Sequence, residues 1–448
     1  MDFQTIKKII NKLVSEHQEF VKKAATAEQY YRNKNDIKEK GVLNQQYDAY
    51  LRENNLNPLR NADNRISHNW HKLLVDQKVS YGFSYPPLFD VGNPDINKKI
   101  TRVLGDEYSK VIKDLAVDAS NCGVAWLHIW EDENGFNYAV VDPKQVIPIY
   151  SSDLKKELVA VLRAYELTGD DGVSYQRFEY WTDKDCTFFI RESNGEINLE
   201  FAFEGIPNII KHKVAMVPFI PLYNNSTHTS DLDLYKDLID AYDKVVSGFA
   251  NDLDDVQEVI FVITNYGGES REDFLTDLKK YKTIKVDADG EVNTIRAEIP
   301  FEARNAFLEM VKKQIFISGM GVNPDPEKFG NASGVSLQFL YSLLELKMAL
   351  METEFRLGLA KLVRAILRHI GVSDNVNIIQ TWTRNAIRND LETVQMLGMS
   401  GNIISERTKT KNHPLTEDIE EELKQIEKEK KDLDKELNSD VFPRAGEE

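Results

Sequence analysis

The sequence predicts an α+β protein with helices and strands in separate parts of the chain. Apolar residues recur at helical spacing near the start, as in Phe3, Ile6 and Ile10, and this pattern continues to about residue 120. The spacing changes to that of strands from about residue 123, and long helical patterns return after residue 230. A strand-rich part flanked by helix-rich parts is typical of the α+β class.

The middle part of the chain predicts a mostly antiparallel sheet that extends to about residue 223. Its predicted strands share apolar residues at strand spacing and are 124–130, 136–141, 158–167, 176–181 and 187–191. Asn134 and Gly135, between the first two runs, form a dipeptide typical of tight hairpin turns. We therefore expect consecutive strands to pair in opposite directions.

The composition favours a globular protein without broad nucleic-acid contacts. The 448 residues are enough for two or three cores, and 42% of them are hydrophobic. Asp and Glu outnumber Lys and Arg by 73 to 56, which gives a formal net charge of −17. A protein that grips nucleic acid over a broad face normally carries a basic surface. The acidic balance instead suits a soluble particle, an acidic assembly surface, or a channel that DNA passes without sticking.

The number of cysteines and the hydropathy of the chain indicate its cellular compartment. Cys122 and Cys186 are too few for a disulfide framework or a thiolate metal site, so we expect buried, reduced thiols. No apolar run approaches the roughly 20 residues that span a bilayer. Residues 1–20 form an amphipathic helix pattern without signal-peptide features. We therefore expect a protein that stays in the cytoplasm in which it is made, with no membrane partner.

A helix with one acidic face is predicted at 230–257. Ser230 is a suitable N-cap, and apolar residues such as Leu232 and Tyr235 recur at helical spacing after it. The aspartates between them fall on another face and are Asp233, Asp237, Asp240 and Asp243. This face is open to three interpretations: a solvated surface, the lining of a channel or part of a metal site. A divalent cation would need further ligands, which the sequence does not identify.

Two further helices enclose an irregular loop. A small α/β module at 258–299 precedes a predicted helix at 301–318. The next stretch, 319–332, carries prolines, glycines and short polar residues, which predict a loop. The helix that starts at Ser333 would be about 55 Å long at about 1.5 Å per residue. It is apolar on nearly all sides over 337–351, so we expect several neighbours around it, some from other chains.

The C-terminal part predicts one more strand and several charged helices. The strand is expected at 376–382, and helices follow from about residue 390. In the last helix a heptad-like seam is formed by Ile419, Leu423, Ile426, Leu433 and Leu437, with Lys430 at an interrupted position. Packing among the C-terminal helices and an independent coiled coil both fit this seam. Residues 438–448 have the composition of a disordered tail.

No motif of the sequence predicts catalysis, a metal site or a cofactor. The G-x-x-x-x-G-K-S/T phosphate loop is absent, so we do not expect ATP hydrolysis. His68 and His71 lie three residues apart, but zinc needs further ligands, and we expect a partly exposed structural role for both. The stretch DADGE (287–291) has the acidic spacing of a calcium loop but lacks the later ligands, so we expect a turn.

Five groups of short stretches stand out in a fixed order along the chain. They are Asn64-Arg65-Ile66 with VDQKVSYG (75–82), Asp142-Pro143 with Val146-Ile147-Pro148, VPFIPLYNN (217–225), KFGNASG (328–334) and GNIISERT (401–408). Together with the order of the predicted elements, they resemble the portal proteins of tailed bacteriophages, the head-to-tail connector family. The resemblance covers almost the whole chain. The resemblance depends on the whole ordered set, because each stretch alone is a short structural segment without catalytic or ligand-binding residues.

The resemblance implies a portal-like fold with an α/β wing, two stem helices, a small α/β clip, a very long helix and a helical C-terminal crown. The implied divisions are the wing at 1–229, the first stem helix at 230–257, the clip at 258–299, the second stem helix at 300–318, the tunnel loop at 319–332, the long helix and return strand of the wing at 333–389, the crown at 390–437 and the tail at 438–448.

The resemblance also implies a function without catalysis or cofactor. The chain would form a closed ring, usually a dodecamer, at one capsid vertex, as the channel for packaging and ejection of DNA. Implied partners are other copies of the chain, double-stranded DNA without sequence specificity, the terminase large subunit, a head–tail connector (adaptor) protein, the major capsid protein and scaffolding proteins. The implied location is the portal vertex of the virion, and the host cytoplasm during assembly.

Two sets of residues gain implied roles. The tunnel loop would face DNA through Asn323, Asp325, Glu327 and Lys328, although an exposed loop with ordinary polar residues is an equal alternative. The stem would line the channel with Asp233, Asp237, Asp240 and Asp243. Two other functions stay open: a helical scaffold or adaptor without a channel, and a metal-dependent nuclease that uses the clustered carboxylates.

Overall fold

A computed structural model gives the fold of most of the chain. The residues described are 3–39, 62–133, 135–168, 172–192, 195–199, 208–255, 260–264, 291–295, 300–323, 334–385, 390–401, 403–416 and 419–439. The chain divides into a larger unit, residues 1–323 with 343–385, and a smaller unit, residues 324–342 with 386–448. Both helices and strands contribute to the larger unit, as the α+β prediction requires.

The helices up to residue 385 differ widely in length. They are α1 (Phe3–Tyr31), α2 (Trp70–Phe83), α3 (Pro94–Leu104), α4 (Tyr108–Cys122), α5 (Lys236–Asp255), α6 (Phe301–Ser318) and α7 (Gly334–His369). The bounds of α6 and α7 agree closely with the sequence prediction. In contrast, α5 begins six residues later than expected, at Lys236.

The strands fall mainly between α2 and α5. They are β1 (Tyr85–Asp90), β2 (Val124–Asp132), β3 (Gly135–Val141), β4 (Val146–Tyr150), β5 (Leu158–Thr168), β6 (Ser174–Trp181), β7 (Asp185–Glu192), β8 (Asn198–Leu199), β9 (Ile209–Lys211), β10 (Phe219–Tyr223), β11 (Ile260–Thr264), β12 (Glu291–Ile295) and β13 (Ile379–Thr383).

The prediction of one sheet in the middle part is wrong, because these strands form two separate sheets. One has the order β10-β2-β3, and the other has the order β4-β5-β6-β7-β8 with β9 beside β7. All pairings are antiparallel. The separation occurs after β3, where Asp142 accepts a hydrogen bond from the amide of Lys144 and Pro143 cannot donate one. This turn ends the pairing of β3 and starts a new sheet with β4.

The N-terminal helix α1 covers the larger sheet. Ile10 is buried on α1 against one residue from each of three neighbouring strands, Ile147 of β4, Leu162 of β5 and Phe178 of β6. The half-buried Ile6 and Leu13 flank it at helical spacing, as the amphipathic pattern of the sequence predicts. The far end of α1 belongs to a second core with α2, α5 and α6, in which Tyr30 is buried.

A two-stranded pairing joins distant parts of the chain. β1 pairs with β13 in antiparallel register, with Tyr85 opposite Thr383 and Asp90 opposite Ile379. The register shifts between Tyr85 and Leu88, where two prolines lack the N–H groups that a regular ladder requires. β13 occupies most of the strand expected at 376–382, whereas β1 was not predicted.

The part between α5 and α6 is described only in its two strands. β11 pairs with β12, with Ile260 opposite Ile295. The sequence also predicts a hairpin in which a strand at 282–286 pairs with 292–295 around Asp289-Gly290. The strand at 282–286 lies outside the described residues, as does most of DADGE (287–291).

The smaller unit contains α8 (Asp390–Met399), α9 (Glu406–Asn412) and α10 (Ile419–Ser439). Ser405 caps α9 by accepting a hydrogen bond from the amide of Thr408. Ile419, Leu423 and Ile426 of the predicted seam are half-buried on α10, which packs beside α9. This arrangement agrees with packing among the C-terminal helices.

Two general expectations can be compared with the described residues. Cys122 and Cys186 are free and buried, and burial raises the pKa of both thiols, so both stay protonated and unreactive. Within the described part of the chain, no helix combines the length and the apolar composition needed to cross a membrane.

We expect Gly123→Ala to destabilise the larger unit strongly. Gly123 ends α4 with φ of 81°, and an added Cβ would lie 2.3 Å from the carbonyl oxygen of His228. Gly92 is a matched control, because its φ is 80° and nothing lies within 4 Å of the added atom. Gly92→Ala should cost roughly 1–2 kcal/mol for the left-handed backbone alone, and Gly123→Ala clearly more, as measured by urea unfolding. Equal losses would show that the close approach relaxes freely.

Candidate functional site

The four aspartates predicted to form one acidic face differ in their exposure. Asp233 and Asp237 are exposed, Asp240 is half-buried, and Asp243 is completely buried. The prediction of one exposed acidic face is therefore wrong for Asp240 and Asp243, since helical spacing does not show which other segments cover the helix. Only Asp233 and Asp237 remain on the surface of the protomer.

Asp243 is buried because it accepts hydrogen bonds from segments near the N-terminus. Its two oxygens lie 2.6 Å from Nδ2 of Asn35 and 2.7 Å from Nδ1 of His68, and the backbone amide of His68 donates to it as well. These bonds compensate for the loss of water around the carboxylate. His68 is partly exposed, as expected, and its hydrogen bonds to Asp243 hold α5 against the residues just before α2.

Asp240 is engaged by the same part of the chain. It accepts a hydrogen bond from the hydroxyl of Tyr30, and its other oxygen lies 2.7 Å from Nζ of Lys236. Lys236 also lies 2.7 Å from Asp36. The acidic residues in the middle of α5 thus serve to dock this helix onto the end of α1.

The most unusual group in the larger unit is a buried cluster of three charges, which we call the lysine–aspartate junction and define as Lys78, Asp231 and Lys347. Nζ of Lys78 lies 2.6 Å and Nζ of Lys347 lies 3.0 Å from the same oxygen of Asp231. All three side chains are almost inaccessible to solvent. Asn224 completes the junction by accepting from Lys78 at 2.7 Å and donating to the second oxygen of Asp231 at 2.9 Å.

The electrostatics of the junction follow from its burial. Burial lowers the pKa of Lys78 to about 8, because a buried ammonium is costly and the carboxylate of Asp231 only partly compensates. The burial of Asp231 opposes ionisation, but the ammonium groups of Lys347 and Lys78 outweigh it and hold the pKa of this carboxyl well below its usual range. We therefore expect Asp231 to be ionised at every pH at which the protein is folded.

The junction connects four parts of the fold. Lys78 comes from α2 and Lys347 from α7, and Asp231 precedes the short turn that leads into α5. Lys347 also donates to the carbonyl oxygen of Gly319 at 2.9 Å, which is the C-cap of α6 and the negative end of its dipole. The residues after Asp231 form a 3-10 helix at Leu232–Leu234, and Tyr235, with φ of −148°, interrupts the helix before α5 begins at Lys236.

A neutral histidine extends the junction on one side. His71 is completely buried, contrary to the expected partial exposure, because it lies on the inward face of α2. Its Nε2 is 2.9 Å from the amide oxygen of Asn121, so this nitrogen donates and Nδ1 accepts from the hydroxyl of Tyr235. Burial lowers the pKa of His71 to about 4, so the ring is uncharged at neutral pH.

The first residues after α6 are held firmly. The side chain of Gln77 donates to the carbonyl oxygen of Val322 at 2.7 Å and accepts from its amide at 3.0 Å. An added Cβ at Gly319 or Gly321 would come within 2.5 Å of a methyl group of Leu74. The stretch 319–332, predicted as a loop, therefore begins with a segment fixed against α2. Asn323 is half-buried at its end, whereas Asp325, Glu327 and Lys328 lie outside the described residues.

The described residues contain no group of three or more His, Cys, Asp or Glu side chains arranged to hold a metal ion. The carboxylates of Asp240 and Asp243 are already committed to hydrogen bonds with the protein. The chemistry of the site is thus that of structural ion pairs, which hold helices in fixed positions.

Sequence reasoning missed the junction, although one signal for it exists. Lys78 and Lys347 are single cations within helical stretches that are otherwise apolar on the same face. A lysine at such a position must be buried, and a buried lysine requires a carboxylate. The identity of that carboxylate, Asp231, depends on tertiary packing and could not be obtained from spacing along the chain.

Known proteins similar to this chain were found by sequence. The family described as "Phage portal protein, SPP1 Gp6-like" matches residues 10–436. The portal protein of Clostridium phage phiCD119 (strain Clostridium difficile/United States/Govind/2006) is 44% identical over 452 aligned residues, covering 96% of this chain and 97% of that protein. The portal protein of Bacillus phage SPP1 is 33% identical over 438 residues, covering 94% of this chain and 86% of its own length.

Two solved structures are similar at a lower level. The neck of an empty GTA particle, computed with C6 symmetry, contains a chain with a TM-score of 0.46 and 10% identity, covering 76% of this chain and 88% of that chain. The virion of the native gene transfer agent contains one with a TM-score of 0.44 and 11% identity, covering 75% and 86% respectively. With TM-scores below 0.5, neither similarity carries an argument.

We expect Asp231→Asn to destabilise the protein by roughly 3–5 kcal/mol, because it leaves two buried ammonium groups without a counterion. Urea unfolding followed by circular dichroism measures this loss. Asp233→Asn is the matched control, two residues away but exposed, and should stay within about 0.5 kcal/mol of the parent protein. If both variants lost the same small amount, the junction would not be a major source of stability.

Proposed function

This chain belongs to the SPP1-like family of phage portal proteins, and we propose that it forms a ring-shaped channel at one capsid vertex through which double-stranded DNA enters and leaves. Portal proteins are structural components of the phage head–tail connector and not enzymes. The family match spans nearly the whole chain, which supports one function for all of its parts. The virion is accordingly its location, and we propose the host cytoplasm as the place of its assembly.

The single observation that carries the structural side of this proposal is the lysine–aspartate junction. A channel of constant bore needs helices whose positions do not change while DNA passes through it. The junction fixes the segment before α5, the end of α6 and the middle of α7 to α2 by buried ion pairs. α5 and α6 also pack directly on each other, with Ile239 and Ile315 fully buried between them and their neighbours. We therefore assign the stem to α5 and α6.

The remaining divisions follow the expected ranges. We propose residues 1–229 with 333–389 as the wing, 258–299 as the clip, 319–332 as the tunnel loop and 390–437 as the crown. The fixed segment after α6 supports a loop that is anchored at its start, since the side chain of Gln77 bonds both the backbone amide and the carbonyl oxygen of Val322.

The proposed channel lining would repel the phosphates of DNA. We propose Asp233 and Asp237 as lining residues because both carboxylates are exposed, and we leave out Asp240 and Asp243 because of their internal hydrogen bonds. The chain as a whole carries a formal net charge of −17. Like charge discourages the counterion-releasing contacts by which proteins grip DNA, so the duplex can slide.

Partners of the ring are proposed on the same basis. The terminase large subunit and a head–tail connector (adaptor) protein would dock at the clip, and the major capsid protein and scaffolding proteins would surround the wing. The DNA would be bound without sequence specificity, because the proposed lining carries no groups suited to reading base edges.

Electron microscopy of the purified full-length protein tests the ring directly. We expect closed rings with a central channel, most of them with twelve subunits, and a solution mass to match. Deletion of residues 415–448 should leave the rings intact, because we assign ring contacts to wing and stem. Loss of all oligomers on this deletion would favour a coiled-coil scaffold or adaptor. A protein that stayed monomeric even with its capsid partners would contradict the portal function.

The tunnel loop is tested by substitution of its polar residues. Asn323→Ala, Asp325→Ala, Glu327→Ala and Lys328→Ala together should leave ring formation unchanged but reduce the DNA content of heads, because the loop would no longer follow the duplex surface. The control is a protein with Lys155→Ala and Asp183→Ala, two exposed residues of the wing turns. Normal DNA filling of heads with the loop variant would exclude a role of these side chains in packaging.

A further inference from the structure

The long helix α7 exposes a stripe of leucines that its own protomer does not cover. Leu343, Leu346, Leu350 and Leu357 are between 40 and 63% exposed. With the exposed Thr353 they occupy positions spaced by three, four, three and four residues. This is the spacing of a heptad seam, which keeps side chains on one side of a helix for about 20 Å. We call these five residues the α7 seam.

The stem helix α6 exposes a second stripe with identical spacing. Its members are Ala303, Ala306, Met310, Lys313 and Ile317, which all face solvent in the protomer. Met310 is 59% exposed and Ile317 is 46% exposed. We call these five residues the α6 seam. The α6 seam combines small and flexible side chains, whereas the α7 seam consists mainly of large branched ones.

Both helices are firmly anchored on their opposite sides. Met348, Met351 and Phe355 of α7 are completely buried in the protomer, and Val311 and Ile315 of α6 are buried against α5. The exposed stripes are therefore not the result of poorly packed helices. A mostly apolar stripe on a well-anchored helix indicates an interface, because isolated apolar side chains on a surface do not align in this way.

We propose that the α7 seam of one protomer packs on the α6 seam of a neighbouring copy of this chain. This inference rests on the proposed ring and names the contact between its subunits. The two seams differ in sequence, so the contact is heterologous, and each protomer uses a different surface toward each neighbour. Such contacts close into rings when the rotation between copies permits it.

Shape complementarity supports this pairing. Knobs-into-holes packing requires seams with the same repeat, and here the three–four spacing is identical over the same length. Leucines of α7 would fill the space that Ala303 and Ala306 leave on α6. The middle position is Met310 in one seam and Leu350 in the other, so these two residues face each other whether the helices run parallel or antiparallel.

Charge complementarity also favours a second copy of this chain as the partner of the α7 seam. Lys313 is exposed within the α6 seam, and Glu354 borders the α7 seam beside Thr353. Among the described residues, neither side chain forms an ion pair within the protomer. When the helices run parallel, Lys313 lies opposite Thr353 and beside Glu354, where the two charges can pair across the interface. A second copy of the chain thus supplies both the apolar surface and the opposite charge.

The pairing is tested by disulfide cross-linking between two variants that each gain one exposed cysteine. Met310→Cys and Leu350→Cys proteins are purified separately, mixed during assembly and oxidised. The native Cys122 and Cys186 are buried and should not interfere. We expect cross-linked dimers in the mixture and none in either variant alone, because each cysteine faces the other position.

The outcomes separate this inference from the proposed function. Rings without cross-links in the mixture would overturn the seam contact and leave the portal ring standing. Cross-links without rings would support the seam contact and contradict the ring. Monomers without cross-links would contradict both.

A charge introduced into the α7 seam gives an independent test. Leu350→Glu should raise the protein concentration needed for association at least about tenfold, while the melting temperature of the monomer stays unchanged, because the side chain is exposed. Leu154→Glu is the matched control, since Leu154 is fully exposed in the turn between β4 and β5 and belongs to neither seam. Equal association of the two variants would overturn the proposal.

Discussion

The carboxylate of Asp231 lies between two lysines that come from helices far apart in sequence. A charge removed from water costs several kcal/mol unless an opposite charge lies within hydrogen-bonding distance. α2, α7 and the segment before α5 must therefore assemble together or not at all. Since Lys347 also binds the carbonyl of Gly319, the same requirement fixes the end of α6.

Local sequence was sufficient for the bounds of α6 and α7 but not for the sheets. α6 and α7 were predicted almost to the residue, because a long apolar period and a loop rich in glycine and proline define their ends. Strand positions were also largely predictable from alternation. Their partners were not, since β10 inserts beside β2 and β13 beside β1 from distant parts of the chain. No short-range pattern specifies such pairings. Two sheets were taken for one because the turn at Asp142–Pro143 was not recognised as the break between them.

At the candidate site, too, helical spacing predicts some features, whereas others depend on the tertiary surroundings of each residue. Helical spacing correctly groups Asp233 and Asp237 on the surface, but it cannot reveal that Asn35 and His68 enclose Asp243. The family resemblance, in contrast, was identified correctly from short ordered stretches and is confirmed by relatives that align over nearly the entire chain. Family membership thus depends on order along the sequence, whereas the role of a side chain depends on what surrounds it.

The wide separation of the junction residues along the chain has a consequence for biosynthesis. Lys78 leaves the ribosome long before Lys347, and at about 5 to 20 residues per second the delay is on the order of tens of seconds. During this time Lys78 and Asp231 lack their third partner, and β1 lacks β13. The nascent chain can fold its hairpins early, but it cannot complete the frame around α6 until α7 has emerged. A polypeptide released before that point would retain an unfinished core, a substrate for proteolysis and not a subunit competent for assembly.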